Sequence, residues 1–257
     1  MPELPEVETV RRGLASAMEG RPFLRVHVMR PDLRIPFPEG FADRLAGRTV
    51  RRLARRAKYL LVECDDGTIL IIHLGMSGRM VIDPGSGDPA NGRLAPGNFA
   101  HGATANRRHE HVVFELGNGT VVRFSDPRRF GLMTLTTAEE LDRHPLIAHL
   151  GPEPTGEDFD GDRLGALLDG KRTPIKSALL DQRVVAGLGN IYVCESLFAS
   201  RISPRRIAAT VQGDRAERLA RAIREVLAEA IEAGGSTLRD HVTPNGEIGY
   251  FQHRFKV

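Results

Sequence analysis

EHVVFELGNGTVVRF, residues Glu110 to Phe124, carries the clearest strand signal in the chain. Val112, Phe114 and Leu116 alternate along an extended backbone, Gly117-Asn118-Gly119 supplies turn residues, and Val122 and Phe124 resume the alternation. A period of two interrupted by Gly and Asn is the pattern of a β-hairpin with one buried face. Upstream, Thr68 to Leu74 is almost wholly apolar, with Leu70, Ile72 and Leu74 on one face and Ile69, Ile71 and His73 on the other. Several short strands separated by turn signals predict a sandwich or barrel. At the start of the chain, Pro5, Glu6 and Glu8 form the first turn of a helix reaching about Met18, with Gly20 to stop it. Pro is tolerated there and carboxylates favour the positive end of a helix. The Gly-, Asn- and Pro-rich stretch from Pro84 to Arg108 reads as a mobile loop.

The pattern changes near Thr136. Leu150-Gly151-Pro152-Glu153-Pro154 reads as a hinge, and the segments beyond it have helical periodicity. The clearest helix starts with Asp214 and Glu217 in capping-box spacing. It places Leu219, Ile223, Val226, Leu227 and Ala230 on one face and ends at Gly234-Gly235. The fold class is therefore α+β, with a β-rich domain over residues 1–135, a linker over 136–154 and a helical domain over 155–257.

A chain of 257 residues has room for two modest cores, and 41% hydrophobic with 27% charged residues is ordinary for a globular protein. No apolar run is long enough to span a bilayer, and the polar start is no secretory signal, so a cytoplasmic location without membrane attachment is expected. Cys64 and Cys194 are far apart and suggest neither a disulfide framework nor a zinc site. Net charge is only +3, but its distribution is uneven. Arg51, Arg52, Arg55, Arg56 and Lys58 crowd one stretch, and Arg107, Arg108, Arg123, Arg128 and Arg129 another. Such clusters suit phosphate binding, and equally suit a solvated charged face.

Chemistry could reside in three places. Removal of Met1 would leave Pro2 with a free secondary amine, and an α-amino group titrates roughly 2.5 units below a lysine. Attack by that nitrogen on a sugar's anomeric carbon gives a permanently cationic iminium, an electron sink that promotes β-elimination. Glu3 could manage protons at the sugar, or could simply complement a helix end. The turn Gly75-Met76-Ser77-Gly78 and the stretch Asp126-Pro127-Arg128-Arg129-Phe130-Gly131 each end a strand. An enzyme acting on a base inside a duplex must extrude it and fill the gap, a task for Met and Phe wedges beside an Arg. Met76 and Phe130 could instead fold back into the core. Gly187-Leu188-Gly189-Asn190 precedes a helix whose buried face is expected to carry Ile191, Cys194 and Phe198, and its amides suit a phosphate. Asn190 could cap that helix or donate to the phosphate.

Taken in order, these segments resemble the formamidopyrimidine-DNA glycosylases. The matches are PELPEVETVRRGL at Pro2–Leu14, RRAKYLL at Arg55–Leu61, IIHLGMSG at Ile71–Gly78 and SDPRRFG at Ser125–Gly131. HLGPEP at His149–Pro154, GLGNIYVCESLF at Gly187–Phe198 and GGSTLRD at Gly234–Asp240 complete the set. The resemblance implies an N-terminal β-sandwich with a leading helix, a C-terminal helix–two-turn–helix domain, and damaged double-stranded DNA bound between them by a monomer. It implies Pro2 as Schiff-base nucleophile, Glu3 as acid/base, and Lys58 at the phosphate beside the lesion. Met76, Arg128 and Phe130 would fill the vacated stack, and His73, His109, Lys171 and Asn190 would hold the DNA backbone. Ser236 to Tyr250 would correspond to the loop over the flipped base. The HLGMSG and DPRRFG wording favours the purine-directed branch, with 8-oxoguanine and ring-opened purines as substrates.

The family usually continues into a four-cysteine zinc finger, which is missing from this chain ending at Val257. Either the sequence is a truncated fragment or it is a zincless variant; without the finger, DNA affinity and δ-elimination are expected to suffer, while a weak β-elimination survives. Two other readings stay open at this level: a damaged-DNA-binding module without turnover, and an enzyme that uses an N-terminal proline as general base.

Overall fold

The computed structural model describes residues 1–83 and 107–236, so most of the Pro84–Arg108 stretch, and the segment after Ser236, lie outside the described residues. The chain opens with α1 (Leu4–Met18), as the Pro-Glu start requires. Strand β1 (Phe23–Val28) and the short helix α2 (Phe41–Leu45) follow. The remaining strands are β2 (Val50–Arg56), β3 (Tyr59–Cys64), β4 (Thr68–His73), β5 (Arg79–Asp83), β6 (Glu110–Leu116), β7 (Val121–Ser125) and β8 (Leu132–Thr137). They form two four-stranded antiparallel sheets, ordered β1-β6-β7-β5 and β2-β3-β4-β8. The expected hairpin is β6–β7, with Phe114 opposite Val122.

The two faces of β4 serve two purposes. Leu70, Ile72 and Leu74 enter the core between the sheets with Phe23, Phe114, Phe124, Leu53 and Leu60. Ile69 and Ile71 face outward with Leu61, where Ile147, Leu146 and Leu150 cover them. The segment after β8 is thus packed down. Its far end is also bonded to both halves, since Arg56 donates to the Leu150 and Gly151 carbonyls at 3.1 and 2.6 Å and Gly151 N–H donates to Gln182 O at 2.8 Å. The expected hinge is a fixed strap.

The helical half consists of α3 (Gly161–Leu168), α4 (Ile175–Leu180), α5 (Asn190–Ala199) and α6 (Asp214–Glu232). Leu219, Ile223 and Leu227 of α6 pack on Leu164, Leu168, Tyr192 and Val193. Two local expectations fail here. Asp214 is the first residue of α6 and Gly213 its cap, and Glu217 does not complete a capping box: its Oε2 accepts from Gly161 N–H of α3 at 3.0 Å. Helix α5 buries Tyr192, Val193, Ser196 and Leu197, while Phe198 is 55% exposed and Ile191 and Cys194 lie partly open. Its sequence is apolar nearly all round, so periodicity alone could not select the stripe that packs.

Candidate functional site

The two cores meet on the amino terminus. Leu4 is fully buried in the helical core, whereas Val7, Val10 and Leu14 of the same helix belong to the sandwich core. Pro2 is buried at this junction and Met1 is exposed. Glu3 is only 3% exposed, and its carboxylate turns across to the start of α5. Oε2 accepts from Gly189 N–H at 2.8 Å and Tyr192 N–H at 3.4 Å, and Oε1 accepts from Ile191 N–H at 3.0 Å. The anion held at this helix start is therefore Glu3, where a phosphate was expected. Both glycines are needed for the approach: a Cβ at Gly189 would lie 2.4 Å from Glu3 Oε1, and one at Gly187 2.7 Å from Leu4 Cδ1. Burial raises the Glu3 pKa above the ordinary carboxylate value, against the opposing pull of Lys58 and the helix amides.

Lys58 follows the left-handed Ala57 in the β2–β3 turn and is 7% exposed. Burial lowers its pKa, and Glu3 and Glu6 oppose that shift. The neighbouring arginines do not wait for phosphate. Arg55 binds Glu153 at 2.8 Å and Glu8 at 3.3 Å, and Arg56 binds Glu153 at 3.0 Å. Glu153 also accepts the Ala57 N–H, so the strap carboxylate shapes the turn that presents Lys58. Arg52 is likewise paired, with Glu63 at 2.6 Å. Of this cluster, Lys58 is the member placed beside Glu3.

Glu6 is a site residue that the sequence reading took only as a helix-start charge. It is 2% exposed. Its Oε2 accepts from Glu3 N–H at 2.8 Å, and its Oε1 accepts from the Tyr192 hydroxyl, Ser236 N–H at 2.8 Å and Ser236 Oγ at 3.1 Å. The Glu3-x-x-Glu6 spacing was the available signal.

A second cluster stands at the same end of the second sheet, where β4 ends, β3 begins and β8 begins. His73 pairs across strands with Tyr59, the residue after Lys58, and the two rings lie 5.0 Å apart. Burial, assisted by Lys58 and Arg34, lowers the His73 pKa to about 4. Its Nδ1 accepts from Gly75 N–H at 3.0 Å, which leaves the ring proton on Nε2. Met76 and Phe130 do not fold back into the core; they are 38% and 45% exposed. The Arg128 guanidinium lies 4.9 Å from the centre of the Phe130 ring. His109 meets the second cluster only through its carbonyl, which accepts from Asp126 N–H at 3.0 Å. Asn190 stands between the Gly189 and Ile191 amides that hold Glu3, and Lys171 lies away from both clusters, where its charge acts on Asp181. Asn190 does not cap α5, whose cap is Gly189; its exposed side chain touches Cys194.

Among the described residues no group of three His, Cys, Asp or Glu side chains could hold a metal ion. Cys64 belongs to the sandwich core and Cys194 to α5, so the two cannot share one. These residues do not fit a structural zinc ion. Among the described residues no helix is long and apolar enough to cross a membrane.

A β-sandwich and a helical bundle joined on a buried amino-terminal Pro-Glu pair define a class, the two-domain DNA glycosylases with a helix–two-turn–helix module. Residues 1–133 match the formamidopyrimidine-DNA glycosylase N-terminal domain and residues 150–242 the formamidopyrimidine-DNA glycosylase H2TH domain. Formamidopyrimidine-DNA glycosylase from Ruegeria pomeroyi is 56% identical over 257 residues, covering 100% of this chain and 88% of that protein. The Azorhizobium caulinodans protein of the same name is 54% identical over 263 residues, with the same coverage of 100% and 88%. Among solved structures, MutM (Fpg) from Thermus thermophilus superposes with a TM-score of 0.81 at 38% identity, covering 98% of this chain and 85% of that one. A Lactococcus lactis Fpg variant bound to Fapy-dG-containing DNA gives 0.83 at 32% identity, covering 100% and 88%. The chain belongs to the formamidopyrimidine-DNA glycosylase family of base-excision-repair enzymes.

Proposed function

We propose that this protein excises oxidised purines, 8-oxoguanine and formamidopyrimidines, from duplex DNA and then cuts the abasic site through a Schiff base on Pro2. The observation that carries the reading is the Glu3 carboxylate, buried next to Pro2 with a raised pKa and clamped by the amide of the α5 cap and two amides of its first turn. Once Met1 is removed, the Pro2 nitrogen attacks C1′ and displaces the base, which takes up the amine's proton. Glu3, whose burial favours the protonated form, gives a proton to O4′ as the sugar opens, leaving an iminium between the nitrogen and C1′. The Glu3 carboxylate then receives a proton from C2′ and the C3′–O bond breaks, releasing the phosphate. Lys58 lies near Glu3 in a desolvated site, where its charge acts strongly on a departing phosphate. Met76, Arg128 and Phe130 fill the gap left by the extruded nucleotide. His73 Nε2, His109, Lys171 and Asn190 serve the DNA backbone.

Two solved relatives bear on the substrate, a MutM in complex with carbocyclic 8-oxo-G DNA and a Lactococcus lactis Fpg in complex with abasic-site DNA. The test is sodium borohydride trapping on 8-oxoguanine duplex. Protein with Pro2 at its terminus becomes covalently attached, and protein carrying an extra residue ahead of Pro2 does not. Equal trapping of both forms would remove Pro2 as the nucleophile.

A further inference from the structure

Asp126 lies within the motif that presents Arg128 and Phe130, yet it reaches no solvent at 0% exposure. Its Oδ1 accepts from Ser77 Oγ at 2.5 Å and from Arg128 N–H at 3.3 Å, and its Oδ2 accepts from Gly131 N–H at 2.8 Å. Ser77 Oγ in turn accepts from Arg128 N–H at 3.2 Å. The backbone of Asp126 is equally engaged: its N–H donates to His109 O at 3.0 Å, and its carbonyl accepts from Nε2 of buried His111 at 2.8 Å. One carboxylate thus gathers donors from both exposed turns. Ser77 adjoins Met76, while Arg128 and Gly131 bracket Phe130.

The two turns also touch through their backbones, since a Cβ at Gly75 would lie 2.4 Å from the Phe130 carbonyl carbon. Arg129, between Arg128 and Phe130, has a left-handed φ of 57°, a conformation that costs energy in a residue with a Cβ and persists only where neighbours enforce it. A buried carboxylate is expensive unless its oxygens are satisfied, and apolar packing could have joined two loops at lower cost. What the carboxylate adds is direction, because its acceptors fix where the bonded amides and hydroxyl stand.

We propose that Asp126, acting with Ser77, is a positioning residue that locks Met76, Arg128 and Phe130 into one preorganised wedge. The inference rests on the gap-filling part assigned to those three side chains above. In Asp126→Asn the amide NH2 opposes either the Arg128 N–H or the Gly131 N–H, and in Ser77→Ala one arm is lost without a new donor.

The test uses an 8-oxoguanine duplex with 2-aminopurine beside the lesion, whose fluorescence rises as the stack opens. Both variants are expected to slow that rise and single-turnover excision by about tenfold, the scale of one charge-assisted hydrogen bond. Cutting of a preformed abasic site should fall several times less, because no base has to be extruded there. Ser77→Ala carries the test if Asp126→Asn does not fold. Parent-like fluorescence kinetics, or an equal loss on both substrates, overturns the assignment. Met76→Ala separates the two levels: if it too opens the stack at the parent rate, the wedge reading fails and this inference with it. If Met76→Ala slows opening while the Asp126 and Ser77 variants do not, only the positioning role is lost.

Discussion

His73 shows how burial and charge act together on one side chain. Desolvation, Lys58 and Arg34 all lower its pKa, to about 4. Its Nδ1 is committed to Gly75, so the ring offers a neutral N–H donor whose direction is set before any ligand arrives. In the unfolded chain the same imidazole titrates near ~6.5. Between those values the unfolded state binds a proton that the folded state refuses, so stability rises with pH across the window. The contribution is complete above about 6.5 and is lost as pH falls toward about 4, worth about 3 kcal/mol at the extreme. His73→Gln keeps an acceptor for Gly75 and removes the titration. Urea midpoints measured at about pH 7.5 and about pH 5 should fall less in this variant than in the parent. Parallel falls would mean that the imidazole does not carry the linkage.

At the scale of elements, the start of α5 is where packing and chemistry depend on one absent atom. Glu3 sits where a Cβ of residue 189 would be, so Gly189→Ala must push the carboxylate or the helix aside. Single-turnover excision is expected to drop about a hundredfold, since small displacements of a catalytic group cost that much. Gly119→Ala is the control. Its Cβ would meet nothing within 4 Å, and the strain at φ +83° should cost about 1 kcal/mol of stability without touching the rate. A parent-like rate in Gly189→Ala would show that Glu3 is not held by this contact. The same helix marks the limit of what the sequence discloses. Local patterns read correctly: α1, the β6–β7 hairpin and both faces of β4 follow from periodicity and turn residues within a short window. Partners set by the tertiary fold were not legible. Arg55 and Arg56 looked like phosphate ligands until Glu153, nearly a hundred residues away, took them, and the amides of α5 went to a carboxylate from the other end of the chain. Charge in a sequence has a sign but no partner, and an apolar stripe has a period but no neighbour.

At the scale of the whole molecule, α1 joins the two cores. Leu4 is buried among Leu188, Tyr192 and Val193 of the helical half, and Val10, Leu14 and Met18 are buried between the sheets. Leu4 N–H donates to Gly187 O at 3.0 Å, and Glu6 reaches Ser236 beyond α6. On the other side of the junction the Arg55–Glu153 and Arg56–Glu153 pairs hold the strap to the β2–β3 turn. Glu3, proposed for catalysis, is itself one of the ties between the halves, and the position of Pro2 depends on both cores at once. Leu4→Ala removes the apolar anchor and leaves each core otherwise intact. It is expected to cost about 2–5 kcal/mol, and to do so unevenly. In the parent, amides of α5 and of β6–β7 should lose hydrogen-exchange protection together as urea is raised. In Leu4→Ala the α5 amides should open at lower urea than those of β6–β7, and borohydride trapping should fall even where both halves remain folded. If protection in the variant is lost in step across both halves, merely at lower urea, Leu4 is ordinary core packing and the coupling lies in the polar ties, the Glu3 and Glu6 bonds to the helical half and the Glu153 pairs.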